Sequence, residues 1–345
     1  MTDRWLAVAA WRDALDAVDA EAVGLSPQGA VEALHAARQT IDDAGLARAA
    51  AVPGPPHPTA VVVAARTVFT APIEWTALLL GRGSTVVVKV PAGHPGPWPT
   101  WARQARSRGL ALSVTEDRDV VLDADLVVAM GSDASVDAVA AACRGTTLRL
   151  GHRFSAGVVV GSEVAPDPKV PDGFGDVWGG FAADAALHDG RGCMSPQVVL
   201  TTGDLEVCGT ALAGAMARAA DRWPRGPIGP GEAARIRARG ALARASGGRV
   251  WSGDGWSVHA LPPSMFTAEA LPRSVALCRV PDLAAARRYL ASHAMHLSTI
   301  GTDAPEHLGG LGTARVCRPG RMQRPPLDRA HDGYPMIPVT LAHPA

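Results

Sequence analysis

The sequence predicts an α/β protein of two domains, a parallel-sheet domain followed by a second α/β domain that carries a cysteine at the entry to a strand. Three observations predict this. Between residues 60 and 150, short β-branched runs alternate with helix-like runs, the pattern of parallel strands covered by helices on both faces. After Gly151 the rhythm changes, yet strand and helix patterns continue to residue 317. With 345 residues and 47% hydrophobic content, the chain can build two cores, which excludes a disordered protein. The expected divisions are 1–150 for N-terminal helices plus the first domain, 151–320 for the second, and 321–345 for a tail packing back on the first.

Residues 1–50 read as helical, with Ser26 as an N-cap, Pro27 at the first helical position, and Val31, Leu34, Ile41 and Leu46 at helical spacing. "PGPPHP" at 53–58 reads as a stiff extended linker into the strand "AVVVAA" at 60–65. "APIEWTALLL" then reads as a helix, "STVVVKV" as a strand, and "TWARQARSRG" as a helix ended by Gly109. The strand "ADLVVAM", the helix "DASVDAVAAAC" and the strand "TTLRL" follow. In the second domain, "GVVV" is a strand and the Gly-, Pro- and Asp-rich run at 161–180 is expected to be a surface loop. Two alanine-rich helices near 204–221 and 231–246 precede short strands around Val250 and Val258. The strand "SVALCRV", the helix "DLAAARRYLASH" and the strand "RVC" at 315–317 complete it.

Lys plus Arg equal Asp plus Glu at 33 each, so no net field draws a nucleic acid or an anionic membrane surface. The five cysteines, Cys143, Cys193, Cys208, Cys278 and Cys317, form no CxxC pair. That argues against a disulfide framework and a zinc site, and for a reducing compartment with no metal. Asp3, Arg4, Arg12, Asp13 and Asp16 interrupt the N-terminal segment, unlike the apolar core of a signal peptide. No apolar run approaches the roughly 18 residues of a membrane span. A cytoplasmic protein is expected.

The stretch "ALHDGRGCMSPQVVL", residues 186–200, places Cys193 among Gly190, Gly192, Ser195 and Pro196. Such residues build exposed, tightly turned backbone, so the thiol reads as a candidate nucleophile or as an incidental loop cysteine. A nucleophile requires a thiolate, which backbone N–H groups at the corner can favour while also serving an oxyanion. Lys89 closes the strand "STVVVKV" and precedes Pro91, Gly93 and His94. A cation at a strand's carboxyl end can meet a ribose or phosphate, although solvated lysines are common there. "MGSD", Met130 to Asp133, can offer N–H groups and the Ser132 hydroxyl to a pyrophosphate; ordinary capping by Ser132 or Asp133 is the plainer reading. Neither GxGxxG after a strand nor GxxxxGK[ST] occurs. His152 in "RLGHRF" is a candidate general acid or a structural histidine. His331 and Asp332 in "DRAHDGYPM" read as a glycine turn, without a second cluster to hold a metal.

In order and spacing, "FTAPIEWTALLLGRGSTVVVKVPAG", "ADLVVAMGSDASV", "LRLGHRFSAGVVV", "DGRGCMSPQVVL" and "RVCRPGRMQRPPLDRAHDG" resemble the successive motifs of LuxC-type acyl-CoA reductases, the fatty-acid reductases of the aldehyde dehydrogenase superfamily. The resemblance runs from about residue 60 to 338. It implies an aldehyde dehydrogenase-like fold, with Cys193 as the acylated nucleophile facing a nicotinamide and an acyl thioester. It also implies a cofactor site that includes Thr70, Pro72, Lys89, Ala92, Gly131, Ser132 and Asp133. The donor implied is acyl-CoA or another activated acyl group, with an acyl-transferring partner enzyme and a homo-oligomer as further family expectations.

Three departures refine the expectation. Where oxidising relatives carry a water-activating glutamate, this chain reads Leu148-Arg149-Leu150-Gly151-His152, so an acyl-enzyme is expected to survive until a hydride arrives. Where the superfamily uses an asparagine as second oxyanion donor, "VFTAP" leaves Thr70 in or near that place. In NAD-preferring relatives a glutamate follows the strand-end lysine by three residues; here that position is Ala92. NADPH is therefore expected over NADH, which stays usable. The activity implied is reduction of an acyl thioester, fatty in the family, to the aldehyde. The alternatives are an aldehyde dehydrogenase working towards the acid, and a non-catalytic member of the fold that binds acyl-CoA or a partner.

Overall fold

A computed structural model describes residues 1–16, 18–52, 54, 56–161 and 170–337. By contact these fall into two units: Met1–Val23 with Ala33–His152 and the residues from Pro325 on, and Gly24–Glu32 with Arg153–Arg324.

Three helices, α1 (Asp3–Asp13), α2 (Pro27–Thr40) and α3 (Asp43–Ala51), precede the first strand. Ser26 does cap α2, its Oγ accepting the Gly29 N–H at 3.1 Å. Val31, expected on the apolar stripe, is 70% exposed, whereas Leu34, Ile41 and Leu46 are buried. Then come β1 (Thr59–Val63), α4 (Pro72–Arg82), β2 (Thr85–Lys89), α5 (Trp98–Arg106), β3 (Leu112–Thr115), β4 (Leu126–Met130), α6 (Asp133–Ala142) and β5 (Thr146–Leu150). Pro53 and Pro55 of the expected linker lie outside the described residues. The first strand stops at Val63, two residues before its expected end, and β3 was absent from the sequence-based expectation.

All five strands run parallel in the order β3-β2-β1-β4-β5. Side chains alternate between two cores, as strand periodicity requires. Ala60 and Val62 of β1, with Leu126 and Val128 of β4, join the cluster of Trp5, Trp75, Trp98 and Trp101. Val61, Val127 and Ala129 face Val136 of α6 on the other side. Buried indoles need acceptors: Trp101 Nε1 donates to the Asp16 carbonyl at 3.1 Å, Trp75 Nε1 to His331 Nδ1 at 3.3 Å, and Trp98 Nε1 to the Phe69 carbonyl at 3.0 Å, which fixes the approach to Thr70.

The second unit is built on a seven-stranded sheet: β6 (Phe154–Val159), β7 (Pro196–Thr201), β8 (Val250–Gly253), β9 (Trp256–Ala260), β10 (Ser274–Arg279), β11 (Leu297–Thr302) and β12 (Arg315–Cys317). The strand order is β12-β11-β6-β7-β10-β9-β8. Within this sheet, among the described residues, the β8–β9 pair is antiparallel and the others are parallel. Helices α7 (Val177–Ala186), α8 (Leu205–Arg222), α9 (Pro230–Ala245) and α10 (Leu283–Ala291) accompany the sheet. Val199 of β7 enters the cluster with Phe181, Leu212 and Met216, while Val198 and Leu200 enter that of Ala243, Ala286 and Leu290. The sheet is therefore covered on both faces.

The expected loop at 161–180 needs correction. Residues 162–169 lie outside the described residues, but Val170 and Phe174 are buried, and α7 starts at Val177 with Asp176 as its N-cap. Strand β11 was also missed. The chain returns to the first unit with a hairpin of β13 (Ala330–His331) and β14 (Tyr334–Pro335). Asp332 and Gly333 at its tip have φ of 50° and 92°, as a two-residue turn requires, and the tight-turn reading of this segment holds.

Candidate active site

In open parallel sheets ligands gather beyond the carboxyl ends of the strands, where the strand order reverses. In the first unit the reversal falls between β1 and β4. Lys89, the last residue of β2, pairs in register with Val63 and Thr115. Ala92, Gly93 and His94 beyond it are exposed, in a turn closed by the His94 N–H on the Pro91 carbonyl at 3.0 Å. Gly131, Ser132 and Asp133 follow β4 on the same edge. Ser132 is the α6 N-cap, its Oγ accepting the Ser135 N–H at 3.3 Å. Asp133 Oδ1 accepts the His152 N–H at 2.6 Å. Ser132 is therefore the cap that the plainer reading allowed, while Asp133 instead holds the backbone just beyond β5. Thr70 is 6% exposed, and Pro72, also buried, opens α4. His152 is exposed. Arg149 turns outward and pairs with Asp137 of α6 at 3.1 Å.

One residue of this edge escaped sequence reasoning. Glu116 directly follows β3 and its Oε2 accepts the Gly93 N–H at 3.0 Å, so a carboxylate stands beside the Lys89 loop although Ala92 supplies none. Its sequence signal was the short strand "LSVT". Arg118 and Asp117 also follow this strand end. A cation and a helix start that donate, with a carboxylate that accepts, on one strand edge can serve a dinucleotide's phosphates and ribose hydroxyls respectively.

The cysteine corner belongs to the second unit. The expectation of exposed backbone is overturned: residues 181–190 are all buried, and Gly192, Ser195 and Pro196 are buried too, leaving Arg191, Cys193 and Met194 half-buried. The reason is a fixed left-handed turn. His188, Asp189 and Gly190 have φ of 53°, 53° and 71°, a conformation that costs non-glycine residues energy and persists only when its surroundings over-determine it. Here Asp189 supplies the surroundings. It is 1% exposed; Oδ1 accepts from Arg273 Nε at 2.8 Å, Oδ2 accepts the Gly226 N–H at 2.9 Å, and its carbonyl accepts the Arg273 N–H at 3.0 Å. Arg273 donates onward to the Trp223 carbonyl. Burial, opposed by Asp189, draws the Arg273 guanidinium below its ordinary range.

Beyond the turn, the Cys193 carbonyl accepts from Ser155 Oγ at 2.7 Å, and Ser155 Oγ accepts the Thr299 N–H at 3.0 Å. The Ser195 N–H closes on the Gly192 carbonyl at 3.1 Å. Burial pushes the Cys278 and Cys317 thiols up to about 12 and about 11, which makes them inert as nucleophiles near neutrality. Cys208 is buried, and Cys143 caps the end of α6. Among the described residues no group of three or more His, Cys, Asp or Glu is placed to hold a metal, and no helix is long and apolar enough to cross a membrane.

The family of acyl-CoA reductases described as LuxC matches residues 114–338. The chain belongs to this family. The matched span holds Gly131, Ser132, Asp133, His152 and Cys193 but begins after Thr70, Pro72, Lys89 and Ala92. Among solved structures, this LuxC family member is similar to methylmalonate-semialdehyde dehydrogenase from Oceanimonas doudoroffii, at 13% identity and a TM-score of 0.71, over 94% of this chain and 78% of that one. It is similar to an NAD-dependent aldehyde dehydrogenase from Sinorhizobium meliloti at 15% identity and 0.65, over 91% and 73%. It is also similar to an NADP-dependent glyceraldehyde-3-phosphate dehydrogenase from Bacillus halodurans C-125, complexed with NADP, at 15% and 0.64, over 91% and 78%. At these identities the likeness establishes an aldehyde dehydrogenase-like fold. Comparison with curated proteins finds no match.

Proposed function

We propose that this LuxC-family protein reduces an acyl thioester to the aldehyde through an acyl-Cys193 intermediate. The observation that carries the reading is the corner itself: a half-buried cysteine on a mostly buried turn, with its carbonyl bound by Ser155 and its approach held by the Asp189–Arg273 pair. A cysteine without a role has no need of such a support.

The Cys193 thiolate adds to the thioester carbonyl, the bond from that carbon to the CoA sulfur breaks, and the acyl group stays on Cys193. His152 is the proposed acid for the departing sulfur, and the Thr70 hydroxyl, with backbone N–H groups of the corner, the proposed support for the oxyanion. A reduced nicotinamide cofactor, when bound, supplies a hydride to the acyl carbon. Cys193 then leaves as thiolate as the aldehyde carbonyl forms. Arg149, paired with Asp137 where oxidising relatives place a glutamate, gives water no base, so the acyl-enzyme awaits reduction.

Lys89, Ala92, Gly131, Ser132 and Asp133 are the proposed holders of the cofactor, and NADPH its favoured form, with Lys89 and the absence of a carboxylate at Ala92 as the reasons. Glu116 limits that preference, because its carboxylate beside Gly93 repels a 2′-phosphate. Glu116→Gln should raise the NADPH to NADH ratio of kcat/KM several-fold, on the order of 1 kcal/mol. An unchanged or lowered ratio would place the ribose elsewhere. For the reaction, purified protein with acyl-CoA and NADPH should lose reductant absorbance and yield a trapped aldehyde, and Cys193→Ser should do neither. Oxidation of added aldehyde to free acid at a comparable rate would replace this reading with that of an aldehyde dehydrogenase.

A further inference from the structure

The loop between β12 and the end of the second unit, residues 318–324, is tied to the corner by a buried polar cluster. Asp184, fully buried near the end of α7, accepts the Gly320 N–H on Oδ2 at 2.6 Å, the Met322 N–H on Oδ2 at 3.3 Å and the Gln323 N–H on Oδ1 at 3.4 Å. The Gln323 amide returns the contact. Its Nε2 lies 2.7 Å from the Asp184 carbonyl, 3.0 Å from the Leu187 carbonyl and 2.7 Å from Ser195 Oγ. Ser195 is fully buried and Gln323 is 6% exposed.

These contacts have a simple topology. Leu187 is the residue on which α7 ends and the left-handed turn begins; Ser195 is the residue before β7. Cys193 lies between them. The last carbonyls of a helix lack intrahelical partners, and here one amide takes two of those around the end of α7 while also reaching the hydroxyl on the far side of the cysteine. The close approach of the loop is built into the helix as well, because a Cβ on Gly180 would lie 2.5 Å from the Pro319 carbonyl carbon.

We infer that Gln323 is a positioning residue for Cys193, stapling the incoming arm at Leu187 to the outgoing arm at Ser195 so that the thiol between them keeps a fixed place. The inference deepens the proposed function and rests on Cys193 being its nucleophile. Loss of the staple lets the two arms separate and moves the thiol out of the place where backbone N–H groups of a tight corner can favour its thiolate. Misplacement on the scale of an ångström costs up to about a hundredfold in rate.

The test is the pH profile of Cys193 alkylation by iodoacetamide, read by peptide mass in the full chain, for the unmodified protein, Gln323→Ala and Ser195→Ala. Both variants should shift the alkylation midpoint upward by about half a unit or more. In turnover, kcat should fall about tenfold or more while the KM for acyl-CoA moves less than about threefold. Ser195→Ala keeps the Asp184 and Leu187 contacts, so it reports on the outgoing arm if Gln323→Ala does not fold. An alkylation profile that superimposes on that of the unmodified protein, even with a lowered melting temperature, overturns the inference and leaves Gln323 structural. The alkylation readout does not need the enzyme reaction: a protein that shows the shift but takes no acyl group from acyl-CoA would sink the proposed function and leave the staple standing.

Discussion

Asp184 and His188 sit four residues apart at the end of α7, both buried, and their protonation opposes across one pH range. Burial raises the Asp184 carboxyl to about 6, against the pull of Arg324 and three N–H donors. Burial and Arg324 lower the His188 imidazolium to about 4; His259, buried on β9, is lowered to about 4 by burial, Arg239 and Arg244. A carboxyl raised in the folded state holds its proton more tightly there, so its contribution to stability is complete below about 3.8 and is lost as pH rises through about 6. A histidine lowered in the folded state contributes stability above about 6.5 that is lost as pH falls through about 4. Between pH 4 and 6.5 the terms therefore run in opposite senses. Asp184→Asn removes the opposing one, and unfolding free energy measured by urea titration should rise with pH more steeply over that range than in the unmodified protein. His188→Gln should flatten the rise. An unchanged slope in both variants would mean that neither group titrates as its burial demands. At the same scale, iodoacetamide at pH 8 should label Cys193 and spare Cys278 and Cys317, whose thiols are held at about 12 and about 11. Labelling of those two in the folded protein would contradict their burial.

Two helical glycines of the second unit separate close packing from mere composition. Gly180 of α7 has no room for a methyl group against the backbone at Pro319, whereas Gly214 of α8 is exposed, with nothing within 4 Å of an added Cβ. Gly180→Ala should destabilise by about 1–3 kcal/mol through overpacking, and Gly214→Ala should stabilise by up to about 1 kcal/mol through helix propensity. A thermal melt of each decides it, and equal shifts of the same sign would remove the argument that α7 carries the 318–324 loop. The same helix shows where sequence patterns stop being informative. Its start, "DVWGG", reads as loop because two glycines and a capping Asp176 precede any apolar repeat, while those glycines are required by what packs on them. Strand β11, "LSTIGT", hides its burial behind small and polar residues for a similar reason: Gly301 faces Phe181 and Met322. Strand β3 is only four residues long on the sheet edge, and with it went Glu116. Long β-branched runs such as "VVVK" and long apolar helical runs such as "APIEWTALLL", the source of α4, were legible because their signals are local.

Across the whole molecule, local signals found the thiol and the strand ends, and long-range pairings supplied what fixes them. Cys193, Lys89 and the 131–133 turn stand out by residue type and position. The support of the corner does not: Asp189 meets Arg273 84 residues later, Ser155 meets Cys193 across 38, and Gln323 meets Ser195 across 128. No periodicity connects such residues, so the corner reads as exposed until the chain is folded. Breaking the Asp189–Arg273 pair at Arg273 should cost up to about 3 kcal/mol, because it leaves the buried Asp189 carboxylate with only Arg191, at 3.4 Å, and the Gly226 N–H as partners. Arg273→Met should therefore lower the denaturation midpoint strongly, and a variant as stable as the unmodified protein would show that the left-handed turn needs no such lock.

The central claim, that Cys193 carries the acyl group and keeps it for reduction, is tested most directly by intact mass spectrometry after mixing the protein with acyl-CoA in the absence of any nicotinamide cofactor. The account predicts one acyl adduct per chain, located on Cys193, persisting for minutes and discharged as aldehyde when reduced cofactor is added. Absence of the adduct, its location on another residue, or its rapid loss as free acid before any reductant is present would contradict it.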